Sequence, residues 1–249
     1  MAPPQPLSVA VQPQGVWDVD AISRDASEGE PLLEEDSVEV ELVSHHSEQE
    51  SELEVLDTNN PLCPIFSTTP KNAFISVYWQ PTLDPNTAYT VLCLSEGNRK
   101  VTRVGETQPY PDHPERFDTY TQVLCKEGLS GTRYYWEIEW SGDGADIGVT
   151  YKGISRKGEG CSCILGSNDK SWSLDSSGSR YSAWHNDIGT EITAPHSSKI
   201  GVYLDFNAGT LSFYRVSDTM TLLHRFQTTF TEPLYPGFYV CLNSTVTIC

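Results

Sequence analysis

From Phe74 onward the chain runs in short alternations of apolar and polar residues, separated by clusters of Gly, Asn, Asp, Ser and Pro. That punctuation predicts many short strands. Tyr134, Trp136, Ile138 and Trp140 alternate with Tyr135, Glu137, Glu139 and Ser141, which predicts one apolar face and one largely acidic face. Ile200, Val202, Leu204 and Phe206 alternate in the same way with Gly201, Tyr203, Asp205 and Asn207. Leu211 and Phe213 follow Ala208-Gly209, a natural hairpin turn. Further strands are predicted at 88–94, 99–104, 146–151, 171–175, 180–185, 222–226 and 235–240. No window of 12 or more residues shows a 3.6-residue period. About a dozen strands after residue 70 predict an all-β fold of two packed antiparallel sheets, large enough to hold its own core.

The first 70 residues are different. They hold 15 acidic side chains and one basic one, Arg24, a net −14 out of the formal −18 of the whole chain. Trp17 and Phe66 are their only aromatics. A stretch so rich in Pro, Glu and Ser buries too little apolar area to offset the entropy of ordering it, so residues 1–70 are predicted to be a mostly disordered acidic segment before a domain at 71–249. Within it Val38, Val40, Leu42 and Val43 alternate with Glu39 and Glu41. The run resembles a SUMO-interacting motif, in which a short apolar strand pairs with a sheet edge. Ser27, Ser47 and Ser51 each have Glu three residues downstream, a pattern suited to acidophilic kinases.

Charge and hydropathy also narrow the partners. The acidic balance argues against binding nucleic acid, which needs clustered Lys and Arg, and against a polybasic membrane mode. No apolar run reaches the roughly 20 residues that cross a bilayer. The start carries no basic, apolar secretory pattern, so a cytoplasmic protein with reduced cysteines is expected.

The search for chemistry gives an expectation of binding rather than catalysis, with no catalytic residues, metal or cofactor. Gly142-Asp143-Gly144-Ala145-Asp146-Ile147-Gly148 lies between two predicted strands and reads as a turn, because no helix follows to hold phosphate. Asp143 and Asp146 lack the rest of a calcium loop. Cys161-Ser162-Cys163 has neither zinc spacing nor a second pair, and is read as buried strand cysteines. His113, His185, His196 and His224 are scattered, and no nucleophile elbow occurs. Asn243-Ser244-Thr245 is a formal sequon, inert without secretion.

A series of motifs is more specific. Leu83-Asp84-Pro85-Asn86-Thr87-Ala88, Arg116-Phe117 and Val123-Leu124-Cys125 come first. Glu127-Gly128-Leu129-Ser130-Gly131 and Tyr135-Trp136-Glu137-Ile138-Glu139-Trp140 follow. Leu204-Asp205-Phe206, Ala208-Gly209-Thr210-Leu211-Ser212-Phe213-Tyr214 and Pro233-Leu234-Tyr235-Pro236-Gly237-Phe238 complete it. In this order they resemble a PRY-SPRY domain, with PRY at about 83–125 and SPRY at about 126–249. The likeness is greatest to the C-terminal domains of tripartite-motif proteins, and extends to the SPRY domains of NOD-like receptors and stonustoxin-type proteins. Asn207 departs from the pattern, which usually has Glu there.

The resemblance implies a bent, concanavalin-like sandwich that recognises a protein or peptide through loops at one edge, in a family linked to innate immunity and ubiquitin transfer. No RING, B-box or coiled coil is evident, so ligase activity is not carried over. The implied contact residues are Asp112, His113 and Arg116 in the 110–116 loop, Arg180, Tyr181, Trp184 and His185 around a Gly-Ser turn, and Tyr235. Trp, Tyr and Arg dominate interface energetics. A core role remains the alternative for Trp172, Tyr181 and Trp184. A carbohydrate-binding or secreted toxin-like sandwich remains the alternative function.

Overall fold

The structure, a computed structural model, describes residues 68–69 and 77–249. Of the segment 1–70 only Thr68–Thr69 are described, and they form a strand of the sandwich and so belong with the domain; the SUMO-like run at Val38, Val40, Leu42 and Val43 and the three serines lie outside these residues.

Fourteen strands are present among the described residues: β1 (Thr68–Thr69), β2 (Leu92–Ser95), β3 (Lys100–Arg103), β4 (Gln122–Leu124), β5 (Arg133–Ser141), β6 (Gly144–Tyr151) and β7 (Ser171–Ser177), then β8 (Arg180–His185), β9 (Ile188–Ile192), β10 (Lys199–Asp205), β11 (Thr210–Val216), β12 (Met220–Gln227), β13 (Leu234–Val240) and β14 (Thr245–Ile248). An eight-stranded sheet runs β1-β12-β11-β10-β5-β14-β3-β2, and a six-stranded sheet runs β4-β13-β6-β7-β8-β9. All neighbours pair antiparallel. The expected all-β sandwich is borne out.

The main core fills the space between the sheets. Trp136, Ile138, Val202, Leu204, Leu211 and Phe213 come from one sheet and Ile147, Val149, Trp172, Leu174, Phe238 and Val240 from the other. Trp172 thus takes the core role weighed for it.

The second face of β5 departs from expectation. Tyr135 and Glu137 are buried rather than solvated. Residues 77–79 run alongside β5, where Tyr78 forms a parallel bridge with Tyr135 and the Trp79 amide donates to the Tyr135 carbonyl at 2.8 Å. Tyr135, Tyr214, Val216 and Met220 form a second cluster there. Glu137 accepts a hydrogen bond from the Tyr135 hydroxyl at 2.9 Å and pairs with Lys199 at 3.0 Å, so the buried carboxylate is neutralised. Burial works against the Lys199 ammonium, but its bonds to Glu137 and Glu139 outweigh that and hold it above the usual lysine range.

Two turns depend on glycine. Gly142 (φ 102) and Asp143 carry the chain from β5 in one sheet to β6 in the other, with the Asn243 carbonyl against the space a Cβ would need. The glycine-rich run is therefore a turn between strands. Gly209 (φ 70) closes the β10–β11 hairpin, where a Cβ would collide with the Thr228 carbonyl. Gly209→Ala is expected to lower the unfolding free energy by about 1–3 kcal/mol, from strain at a left-handed position. The shift of the urea midpoint measures it.

Candidate functional site

The outer face of the six-stranded sheet follows from strand register. Tyr239 of β13 stands opposite Asp146 of β6, Asp146 opposite Asp175 of β7, Asp175 opposite Ser182 of β8, and Ser182 opposite Glu191 of β9. Their chain neighbours Phe238, Ile147, Leu174 and Tyr181 are buried between the sheets. Successive side chains alternate faces, so this row points away from the core. The next row on the same side is Gly237, Gly148, Ser173, Trp184 and Gly189.

One part of the face is covered. The segment after the 3-10 turn Cys161–Cys163 lies across Ser173 and Trp184. Gln122 holds it from the side, donating to the Cys163 carbonyl at 2.6 Å and accepting from the Leu165 amide at 2.7 Å. Asn168 donates to the Ile164 carbonyl at 2.7 Å. The cysteine pair is thus not in a strand: Cys163 is buried and Cys161 is exposed.

Beside this cover the face opens as a notch of about 390 Å³, lined among others by Asp146, Leu165, Asp175, Trp184, Asp187 and Cys241. Burial raises the Asp146 carboxyl well above the usual range, and the charge of Asp175 raises it further. Burial also raises Asp175, partly countered by the Ser177 hydroxyl at 3.3 Å. Two carboxylates facing each other cannot both ionise cheaply. Burial and then the same two carboxylates push the Cys241 thiol up to about 11.

The structure divides the predicted contact residues. Strand β8 sends Arg180 and Trp184 to the outer face, and Tyr181 and His185 to the inner one. Tyr181 is 1% exposed, its hydroxyl accepting the Ser197 amide at 2.7 Å and donating to the Ser197 carbonyl at 3.2 Å. His185 stacks on Trp172 with centroids 4.6 Å apart and donates from Nδ1 to the Ser171 carbonyl at 2.8 Å. Both are framework side chains, because a two-residue period separates what sequence proximity joins.

Arg116 is likewise withdrawn, at 5% exposure. It donates to the carbonyls of Pro85, Ala88 and Pro111, each at 2.7 Å, and lies over the Tyr110 ring at 4.7 Å. It ties the loop before β4 to residues 85–88. Asp112 is exposed and His113 half-buried, in a separate groove of about 350 Å³ with Lys157. Tyr235 is half-buried against Phe117, Leu124 and Ile154. Asp112, His113 and Arg116 line the Lys157 groove, whereas Arg180 and Trp184 stand on β8, near the other edge of the sheet from β4.

Sequence reasoning missed Asp175 and Glu191, and noted Asp146 only as an incomplete calcium ligand. The signal available was polar residues at alternate positions of predicted strands; their meeting depends on register, which a single sequence does not display.

Sequence models of two domains match the chain: PRY, described as the SPRY-associated domain, at 81–129, and the SPRY domain at 133–249. The chain belongs to the PRY-SPRY family, whose SPRY domains are modules that bind protein ligands. Tripartite motif-containing protein 16 of Mus musculus is 42% identical over 172 residues, covering 68% of this chain and 31% of that protein. Stonustoxin subunit beta of Synanceia horrida is 49% identical over 163 residues, covering 64% of this chain and 23% of that one. The chain therefore spans less than a third of the length of these relatives. Among solved structures, the TRIM65 PSpry domain superposes with a TM-score of 0.68 at 27% identity, over 75% of this chain and 99% of that one. The stonustoxin structure superposes with a TM-score of 0.67 at 43% identity, over 74% and 29%.

Two predictions follow from this geometry. Tyr181→Ala should cost about 3–5 kcal/mol, as expected for emptying an aromatic core site, whereas Arg180→Ala should leave the melting temperature unchanged. Parallel thermal melts compare them. The raised Asp146 carboxyl favours folding fully below the unfolded aspartate pKa of about 3.9, and that contribution is lost as pH rises through the folded value. Asp146→Asn should therefore raise Tm at pH 7 and lose its advantage near pH 3, measured by melts across that range.

Proposed function

We propose that the chain is a non-catalytic recognition module whose outer face on the six-stranded sheet docks a protein or peptide ligand. The observation that carries this reading is the open row Tyr239, Asp146, Asp175, Ser182 and Glu191 beside the half-exposed indole of Trp184. An aromatic wall next to polar groups, mounted on paired strands, is the composition of an energetically focused interface. Retaining two opposed carboxylates there sacrifices stability, which is common where a surface serves binding. Arg180 at the rim and the Asp112–His113 groove are secondary contact regions in this reading. A cytoplasmic location goes with it, supported by free thiols at Cys93, Cys125, Cys161, Cys163, Cys241 and Cys249. A link to innate immune or ubiquitin signalling rests on the tripartite-motif relatives alone.

The likeness to stonustoxin subunit beta favours a toxin-like second reading, but the shared span is 23% of that subunit. The test is affinity capture by the full chain beside its Asp175→Arg and Trp184→Ala variants, with mass spectrometry of bound proteins. Loss of a captured protein from both variants, each still showing a cooperative melt, is the expected result. Capture that survives both substitutions would overturn the choice of face.

A further inference from the structure

The two edges of the six-stranded sheet differ. At β4 the chain caps itself: the Asp84 amide bonds the Leu124 carbonyl at 2.8 Å, the Tyr89 amide bonds the Gln122 carbonyl at 3.0 Å, and the Thr87 hydroxyl accepts the Leu124 amide at 2.9 Å. At the other edge β9 pairs with β8 alone among the described residues.

The turn into β9 shows which of its backbone groups remain open. Asn186 (φ 51) and Asp187 (φ 61) form a two-residue hairpin turn between His185 and Ile188. The residues flanking such a turn exchange both backbone hydrogen bonds, and in an antiparallel pair bonded and non-bonded positions then alternate. Ile188, Thr190 and Ile192 therefore face β8, and Gly189 and Glu191 direct their amides and carbonyls to the free side. Exposed edges are usually blunted by proline, lysine or a bulge, and β9 has none of these.

The side chains add chemistry. The Trp184 six-membered ring lies over Gly189, within 2.7–2.8 Å of where a Cβ would stand, so the indole reaches the sheet's edge. Glu191 is exposed and makes no ion pair with a described cation, and Asp187 adds a second exposed carboxylate at the turn. On the inner side Ile188 is 70% exposed, on the same side as Ile192, which packs on the core.

We propose that β9 receives an extended segment of the protein ligand as a seventh strand, with an apolar residue beside Gly189 against Trp184 and a Lys or Arg beside Glu191. Backbone pairing supplies affinity, and alternate side chains supply selectivity. The inference rests on the docking-face reading above, because the edge continues that face through Ser182 and Trp184.

The probe is the acetylated, amidated peptide Val-Lys-Val-Leu-Val, which in antiparallel register sets Lys beside Glu191 and Leu beside Gly189. Titrated into the isotope-labelled full chain, it should shift the Gly189 and Glu191 amides and slow their exchange with solvent. Replacing its Lys by Glu should weaken binding about fivefold, and Glu191→Lys in the protein should reverse that preference. Three outcomes overturn strand addition. In one, these two amides stay unmoved at millimolar peptide. In another, a peptide N-methylated on its edge-facing amides binds equally well. In the third, protection of the two amides rises with protein concentration alone, which makes the occupant a second copy. Shifts at Tyr239, Asp175 and the Trp184 indole without shifts at Gly189 and Glu191 would remove the strand and leave the docking face standing.

Discussion

Ser244, fully buried, accepts the amides of Asp143 and Gly144 at 2.9 and 3.0 Å. This clamp sets where β6 begins as the chain passes between sheets. Side chains alternate with a period of two, so a start one residue later would turn Asp146 inward and Ile147 outward. Through cross-strand pairing the same phase extends to Tyr239, Asp175, Ser182 and Glu191. The composition of the outer face is thus decided at a turn outside it. Gly142 is needed there because the Asn243 carbonyl occupies the space beside its Cα.

The site combines a rigid frame with a local cost. Strands β6, β7 and β13 are buried along their inner faces by Val149, Leu174 and Phe238, which leaves little freedom for rows to slip. On the other side like-charged groups meet directly, an arrangement that opposes pairing. The frame tolerates the conflict because the aromatic and aliphatic core is continuous beneath it. Gln122 and Asn168 serve this arrangement indirectly, by holding the cover that makes an open sheet surface into a notch.

Much of the fold was legible because inner and outer positions contrast strongly in β5, β10 and β11. Short or uniform strands were not: β4 and β14 are brief, and β9 has no fully buried side chain to mark its phase. The site was less legible. Arg116 reads as an interface residue by type, yet three carbonyls and a tyrosine ring hold it inside. Tyr181 and His185 read as loop contacts by proximity to a turn, yet strand phase sends them inward. Glu137 reads as solvated, but it is buried, bonded to the Tyr135 hydroxyl, and Lys199 compensates its charge. These differences arise from strand phase and from contacts that residue type alone does not display.

The asymmetry between the capped β4 edge and the open β9 edge also limits valence. Head-to-tail growth of one sheet into the next needs two free edges, and such contacts form open filaments when they do not close. With β4 occupied by residues 84–89 of its own chain, the six-stranded sheet can be extended once and in one direction. A strand added at β9 would meet no second free edge on this sheet, which removes the head-to-tail route from one copy's six-stranded sheet to the next.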